Sequence, residues 1–295
     1  MQPTKTLGFI GIGLMGEPMT LRLLAAGYTV NVWNRSPEKL STVIKAGAIA
    51  PESLNSLVQQ SDIILLCLAD SPIVENIVKQ HILANGSTGK LLIDLSSTHP
   101  ETTQQLARLL KQACNMEWVD APVSGGVAGA KEGSLAIMAG GTEENIAIAR
   151  EILKPLYKQL THMGQVGSGQ VTKVCNQMIV SCNVLVIAEM MALAEKSGVD
   201  THKIAPALAG GFADSKPLQI VAPEMAERRF TPIKWRVKTL LKDLNMATDL
   251  ANKQKTATPL SALAAQLLQL HGSHDFLEQD PATLIKLYDT KSKNK

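Results

Sequence analysis

The amino-acid sequence predicts an α/β N-terminal domain joined by a long helix to an all-α C-terminal domain. Three observations carry this reading. Short β-rich runs alternate with helical patterns through the first half, a long stretch without proline follows, and only helical patterns recur beyond it. Strands separated by single helices form right-handed βαβ units, so the first half implies a parallel sheet.

The elements follow in order. Residues 7–10 read as a strand and 16–26 as a helix; 29–33 is a second strand and 37–46 a second helix. Residues 63–68 and 91–95 are the third and fourth strands, with helical segments between them and again over 101–112. Two further strands are expected at 118–119 and 134–139. After Gly164 the pattern changes. Gly167-Ser168-Gly169 is a breaker cluster that can cap a helix, and no proline follows before Ser197. A helix of roughly 30 residues is about 45 Å long. Helices at 201–209, 217–227, 233–254, 259–272 and 281–289 complete the chain. The domains are placed at residues 1–165 and 166–295, with the connecting helix at about 168–197.

Composition narrows the function classes. Of 295 residues, 45% are hydrophobic and 19% charged, the balance of a folded globular chain and not of a disordered one. The net charge of +3 is scattered, and the one basic run, Lys291 to Lys295, reads as a frayed end, so nucleic acid is not expected as a partner. Cys67, Cys114, Cys175 and Cys182 lack metal-ligand or redox spacing and read as free thiols of a reducing compartment; no metal site is expected. The N-terminus enters a strand without an apolar leader, which predicts a cytoplasmic protein. The apolar stretch 178–194 is interrupted by Asn183 and Glu189, both costly in lipid, so a helix buried in protein is expected and no membrane.

Gly11-Ile12-Gly13-Leu14-Met15-Gly16 fits G-x-G-x-x-G between a strand and a helix, the setting in which glycines admit a dinucleotide pyrophosphate to a helix N-terminus. The N-terminal domain is therefore expected to be Rossmann-like, with these six residues at the cofactor. NAD sites place an acid at the end of the second strand for the ribose hydroxyls. Here Asn34-Arg35-Ser36 stands instead, a neutral amide, a cation and a hydroxyl suited to a 2′-phosphate, so NADP is expected, with NAD as a weaker alternative.

Four ordered motifs run along the chain. They are Gly8 to Met19, Asp120-Ala121-Pro122-Val123-Ser124-Gly125-Gly126, Gly167 to Gln177 with Lys173, and Lys242-Asp243-Leu244. Over essentially its whole length the sequence resembles the β-hydroxyacid dehydrogenases, among them 3-hydroxyisobutyrate dehydrogenase, tartronate semialdehyde (2-hydroxy-3-oxopropionate) reductase and the glyoxylate/succinic semialdehyde reductases.

Lys173 sits on the first turns of an apolar helix, where burial and the positive helix end disfavour its charge and suit it to proton transfer. The resemblance implies the same catalytic role for Lys173, with Asn176 beside the substrate hydroxyl or nicotinamide. Asn176-Gln177 follows the tartronate semialdehyde reductases where other members have two asparagines, and Gln177 is placed in the substrate pocket. Ser124, Gly125 and Gly126 offer a hydroxyl and consecutive amides suited to a carboxylate, which the resemblance implies is the substrate's. Lys242 resembles the lysine that reaches substrate and cofactor, although on an amphipathic helix it can equally pair with Asp243. Asp94-Leu95-Ser96-Ser97 with Pro100 matches the loop that sets Ser97 near nicotinamide and substrate, and Cys67-Leu68 matches the loop at the nicotinamide ribose, with Ala69 where proline is common. Trp235 stands at a substrate position where relatives have phenylalanine, and Lys238 where some have aspartate.

The expected activity is reversible, metal-independent hydride transfer between NADP(H) and a small carboxylate substrate, with tartronate semialdehyde first. The alternatives are 3-hydroxyisobutyrate and succinic semialdehyde or glyoxylate. Imine-reducing relatives replace the lysine, and 6-phosphogluconate needs a longer C-terminal domain. A cofactor-binding scaffold without turnover is the reading from another class, and intact Lys173 and Asn176 count against it. The long apolar helix and helical C-terminal half lead to the expectation of a homodimer or homotetramer.

Overall fold

The computed structural model describes residues 5–289, so the basic run at 291–295 lies outside the described residues. The chain forms two compact units, which divide between Lys173 and Val174, inside the helix Ser168–Lys196.

The first unit is built on a sheet of eight strands: β1 (Leu7–Ile10), β2 (Val30–Trp33), β3 (Ile63–Leu66), β4 (Leu91–Asp94), β5 (Glu117–Asp120), β6 (Val123–Ser124), β7 (Leu135–Gly140) and β8 (Tyr157–Gly164). Their order is β2-β1-β3-β4-β5-β7-β6, with β8 beside β7. The parallel sheet expected from the βαβ pattern holds for β1 to β5. Beyond them β7 runs antiparallel to β5 and β6, and β8 parallel to β7, so the far half is mixed. Leu7, Phe9, Ile63 and Leu65 join one apolar cluster while Ile10, Ile64 and Leu66 join another. Alternate side chains thus enter cores on opposite faces, which is why these strands are apolar at every position. From β1 the chain goes out to β2 and then crosses back to β3 on the other side of β1. The loops leaving β1 and β3 diverge at that switch point, where sheets of this kind bind ligands.

Three departures from the sequence reading have local causes. The strand β8 was not expected because Leu160 alone of its eight residues is buried, and an edge strand of mostly polar side chains shows no apolar run. The segment 37–46 is a 3-10 turn, Pro37–Leu40, followed by a short helix, Ser41–Lys45. The helix expected to begin at residue 233 begins at Val237, because Arg236 is extended. Lys234 donates its amide to Asp280, and Val237 and Lys238 donate theirs to the carbonyls of Gln279 and Leu277, which ties this stretch to the C-terminal turn.

The second unit is helical: the remainder of Ser168–Lys196, then Ile204–Leu208, Lys216–Glu227, Val237–Lys253, Pro259–His271 and a 3-10 segment, Pro281–Tyr288. By length and composition the helix Ser168–Lys196 would suffice to cross a membrane. Its side chains Val184, Leu185, Ile187, Ala188 and Met191 instead form the core of this unit with Leu218, Val221, Leu240, Leu244 and Leu268.

Candidate active site

The glycine loop leaves β1 at the switch point. A Cβ on Gly11 would stand 2.3 Å from the Cys67 carbonyl oxygen, and one on Gly16 1.9 Å from that of Gly11. Both are therefore glycine because backbone packs on backbone. Gly13 differs: a Cβ there meets nothing within 4 Å, and the neighbouring Leu14 is 62% exposed. The loop is thus closed at its ends and bare in its middle, where it meets the start of the helix Gly16–Ala25. A bare glycine backbone before a helix N-terminus fits a pyrophosphate. Asn34 at the end of β2 accepts the Ile12 amide (3.0 Å) and donates to the Ser36 carbonyl (3.0 Å). Its amide braces the glycine loop against the next turn, while Arg35 is exposed. A phosphate on the ribose would find a cation there.

The loops after β3 and β4 are bonded to each other. The Leu68 amide donates to Ser96 Oγ (2.9 Å). The Cys67 thiol is pushed up to about 12 by burial and by the Asp94 carboxylate, so it stays protonated and is no nucleophile. Asp94, fully buried, accepts the Ser96 amide (2.9 Å) and the Thr98 hydroxyl (2.9 Å). Of the three hydroxyls in this loop, those of Ser96 and Thr98 are buried in these bonds, and Ser97 alone is partly open.

Asp120 ends β5 with its side chain fully buried. It accepts the amides of Gly167 (2.7 Å) and Gln170 (2.9 Å), the start of the long helix. Burial pushes its pKa up to about 6 against the opposing pull of these two bonds, and nearby Asp94 adds to the rise. Gln170 also accepts from the Thr98 amide (3.0 Å) and donates to the Ser96 carbonyl (2.8 Å). Lys173 follows one turn on, 8% exposed, and its Nζ donates to the Val123 carbonyl (2.9 Å). That carbonyl precedes Ser124, Gly125 and Gly126, the last two at φ +138° and +62°, which a side chain would strain. One buried network therefore brings together Ser97, Ser124 and Lys173 in the first unit.

In the second unit Asn176 donates from Nδ2 to Gln177 Oε1 (2.9 Å), and Gln177 Nε2 donates to Asp243 Oδ2 (2.6 Å). Lys242 pairs with Asp243 Oδ1 at 3.2 Å, the pairing the sequence left open beside a substrate role. Gln177 is 8% exposed with both ends of its amide bonded to protein, so it braces Asn176. Trp235 lies in the turn before the helix and packs on the core of its unit; its indole N–H is buried without a partner among the described residues. Lys238 pairs with Glu278 (2.6 Å).

The sequence reading assigned no role to Asp94, Asp120 or Gln170 as individual residues, and to Asp243 only that of a partner for Lys242. All four lie inside the quoted motifs, and the available signal was an acid or amide flanking a residue already chosen.

Known proteins extend these observations. The profile of the NAD binding domain of 6-phosphogluconate dehydrogenase matches residues 6–164. That of the NAD-binding domain of NADP-dependent 3-hydroxyisobutyrate dehydrogenase matches residues 167–288. The chain is 33% identical to 2-hydroxy-3-oxopropionate reductase of Escherichia coli over 294 residues, 98% of this chain and 99% of the relative. The structure of Mycobacterium tuberculosis 3-hydroxyisobutyrate dehydrogenase with L-serine superposes at a TM-score of 0.87 with 28% identity, covering 98% of this chain and all of that one. Psf3 in complex with NADP+ and 2-OPP superposes at 0.89 with 26% identity, covering 96% and 100%.

Proposed function

The chain belongs to the β-hydroxyacid dehydrogenase family, NAD(P)-dependent oxidoreductases acting on hydroxyl groups, and from that premise we propose that it reversibly reduces a three- or four-carbon carbonyl acid with NADPH, tartronate semialdehyde first. The observation that carries this reading is the buried Lys173, whose ammonium is held by the carbonyl that precedes Ser124-Gly125-Gly126.

When bound, the nicotinamide supplies the hydride. The Ser124 hydroxyl and the amides of Gly125 and Gly126 hold the substrate carboxylate. Lys173 uses one of its three donors on Val123 and gives a proton from Nζ to the carbonyl oxygen during reduction; in oxidation it takes that proton back. Ser97 hydrogen-bonds near the reacting oxygen. Asn176, steadied by Gln177, does the same from the next turn of the helix.

The Asn176-Gln177 pair, which resembles that of the tartronate semialdehyde reductases, supports tartronate semialdehyde over 3-hydroxyisobutyrate. Exposed Arg35 beside a neutral Asn34 supports NADPH over NADH. The test is a panel: tartronate, succinic and methylmalonate semialdehydes and glyoxylate reduced with each cofactor, and 3-hydroxyisobutyrate and serine oxidised. Highest kcat/KM for tartronate semialdehyde with NADPH is expected. A higher value for another acid moves the substrate, and a tenfold preference for NADH overturns the cofactor reading.

We further propose a homodimer or homotetramer. Ile179, Val186 and Leu193 recur every seven residues on the long helix and are 72%, 52% and 69% exposed, a stripe that a second copy would cover. Light scattering at micromolar concentration that finds only the 31.6 kDa chain refutes it.

A further inference from the structure

Lys173 is fixed at two points by one short stretch of chain. The Asp120 carboxylate receives the first amides of its helix, and three residues later the Val123 carbonyl receives its ammonium. There is little slack at the carboxylate. A Cβ on Gly140 would lie 2.6 Å from Asp120 Oδ1, and one on Gly169 would lie 2.8 Å from Oδ2 and 2.4 Å from the Met138 carbonyl oxygen. Gln170 adds a third tie, because its side-chain amide bonds Ser96 and Thr98, the residues on either side of Ser97.

We propose that Asp120, acting with Gln170, is the positioning residue that holds the Lys173 ammonium in register with the Ser97 and Ser124 loops. The inference rests on the reading of Lys173 as proton donor. Neither side chain touches the reacting atoms. A carboxylate on amides at a helix start makes charge-assisted bonds, stronger than neutral ones and aligned with the helix dipole. It therefore fixes the axial position of the first turns, and with it the point from which the lysine side chain departs. A displacement of about 1 Å at a reacting group can cost on the order of 100-fold in rate, so a residue of this kind acts on kcat.

A double-mutant cycle tests the proposal. Asp120→Asn keeps the shape but gives up one of the two acceptors; Gln170→Met keeps the length, drops both side-chain bonds and leaves the Asp120 cap in place. Each is made in the wild type and in Lys173→Ala. The readouts are single-turnover oxidation of NADPH with tartronate semialdehyde (or the panel's best carbonyl acid), the NADPH Kd from fluorescence, and the melting curve. In the wild type each substitution is expected to lower the rate about 10- to 100-fold with an NADPH Kd changed less than about twofold. In Lys173→Ala neither should lower it further by more than about twofold, because coupled residues are non-additive. Equal losses in both backgrounds, or a lowered melting curve with an unchanged rate, overturn the proposal. If Asp120→Asn does not fold, Gln170→Met carries the test alone. A Lys173→Ala enzyme that keeps its rate overturns the proton-donor reading and this inference with it. A slow Lys173→Ala enzyme with additive losses overturns the inference alone.

Discussion

Each unit buries carboxylates beside the long helix, and the two units satisfy them differently. In the first, Asp94 and Asp120 take neutral donors: the amides of Ser96, Gly167 and Gln170 and the hydroxyl of Thr98. In the second, Asp243 takes side chains, the Gln177 amide and the Lys242 ammonium. Backbone donors cannot rotate away, so the first arrangement fixes where loops stand. Side-chain donors fix only the orientation of their neighbours, and a cation offsets the buried charge. The first unit is thus built to place Lys173, the second to orient Asn176.

The largest expected effect tests that division directly. Lys173→Ala should lower kcat about 10²- to 10⁴-fold, the usual contribution of general acid–base catalysis, with NADPH binding nearly intact. Lys173→Arg should not restore it, since a guanidinium does not release its proton near neutral pH. A Lys173→Ala enzyme retaining more than about a tenth of the wild-type kcat with chemistry rate-limiting removes the role, and Lys242 becomes the next residue to test.

Arg35 stands outside both networks, exposed on the turn after β2. Arg35→Ala should weaken NADPH by about 1.5–3 kcal/mol, typical of a hydrogen bond to a charged group, and leave NADH nearly unchanged. Equal losses for the two cofactors in kcat/KM would show that Arg35 does not read the 2′-phosphate.

For the second unit the comparison is sharpened by Gln177→Leu. It removes the donor to Asp243 Oδ2 and the acceptor for Asn176 while keeping apolar bulk. Leaving a buried acceptor without its partner costs about 1–3 kcal/mol, so chemical denaturation should show a loss of that size. Unchanged stability would mean that Lys242 alone satisfies Asp243.

What the sequence revealed follows the same division. The glycine loop was legible because Gly11 and Gly16 are required by backbone contacts a few residues away, and the apolar runs of β1 and β3 report burial on both faces. Lys173 and Ser124 were legible from motif and resemblance. Asn34 and Gln177 are read from the sequence as ligands, and both amides also engage protein atoms; an amide that braces a loop and one that meets a ligand look the same in a sequence. Gln177 and Asp243 are 66 residues apart, and the amide of Gln170 is 50 residues from Asp120; no local spacing reports either pair. The edge strand β8 was invisible for the opposite reason, since it buries too little to leave a pattern.

The smallest expected effect concerns the proton on Asp120. Its folded pKa of about 6 lies above the unfolded carboxylate value, so the folded state binds this proton more tightly than the unfolded chain. A raised carboxylate costs stability above its folded pKa and recovers it as the pH falls toward the unfolded one. Between pH 7 and pH 5 that recovery is about 1 kcal/mol for a shift of this size. Asp120→Asn cannot titrate and keeps all other groups, so the difference between the two proteins isolates the contribution. Urea unfolding should therefore show the stability of the wild type relative to Asp120→Asn rising by about 1 kcal/mol from pH 7 to pH 5. A gap that is constant or shrinks would mean that the amides of Gly167 and Gln170 outweigh burial and keep the carboxylate ionised across this range. Its neutral donors would then compensate the buried charge as fully as Lys242 is placed to do for Asp243, and the contrast between the two units would be one of geometry alone.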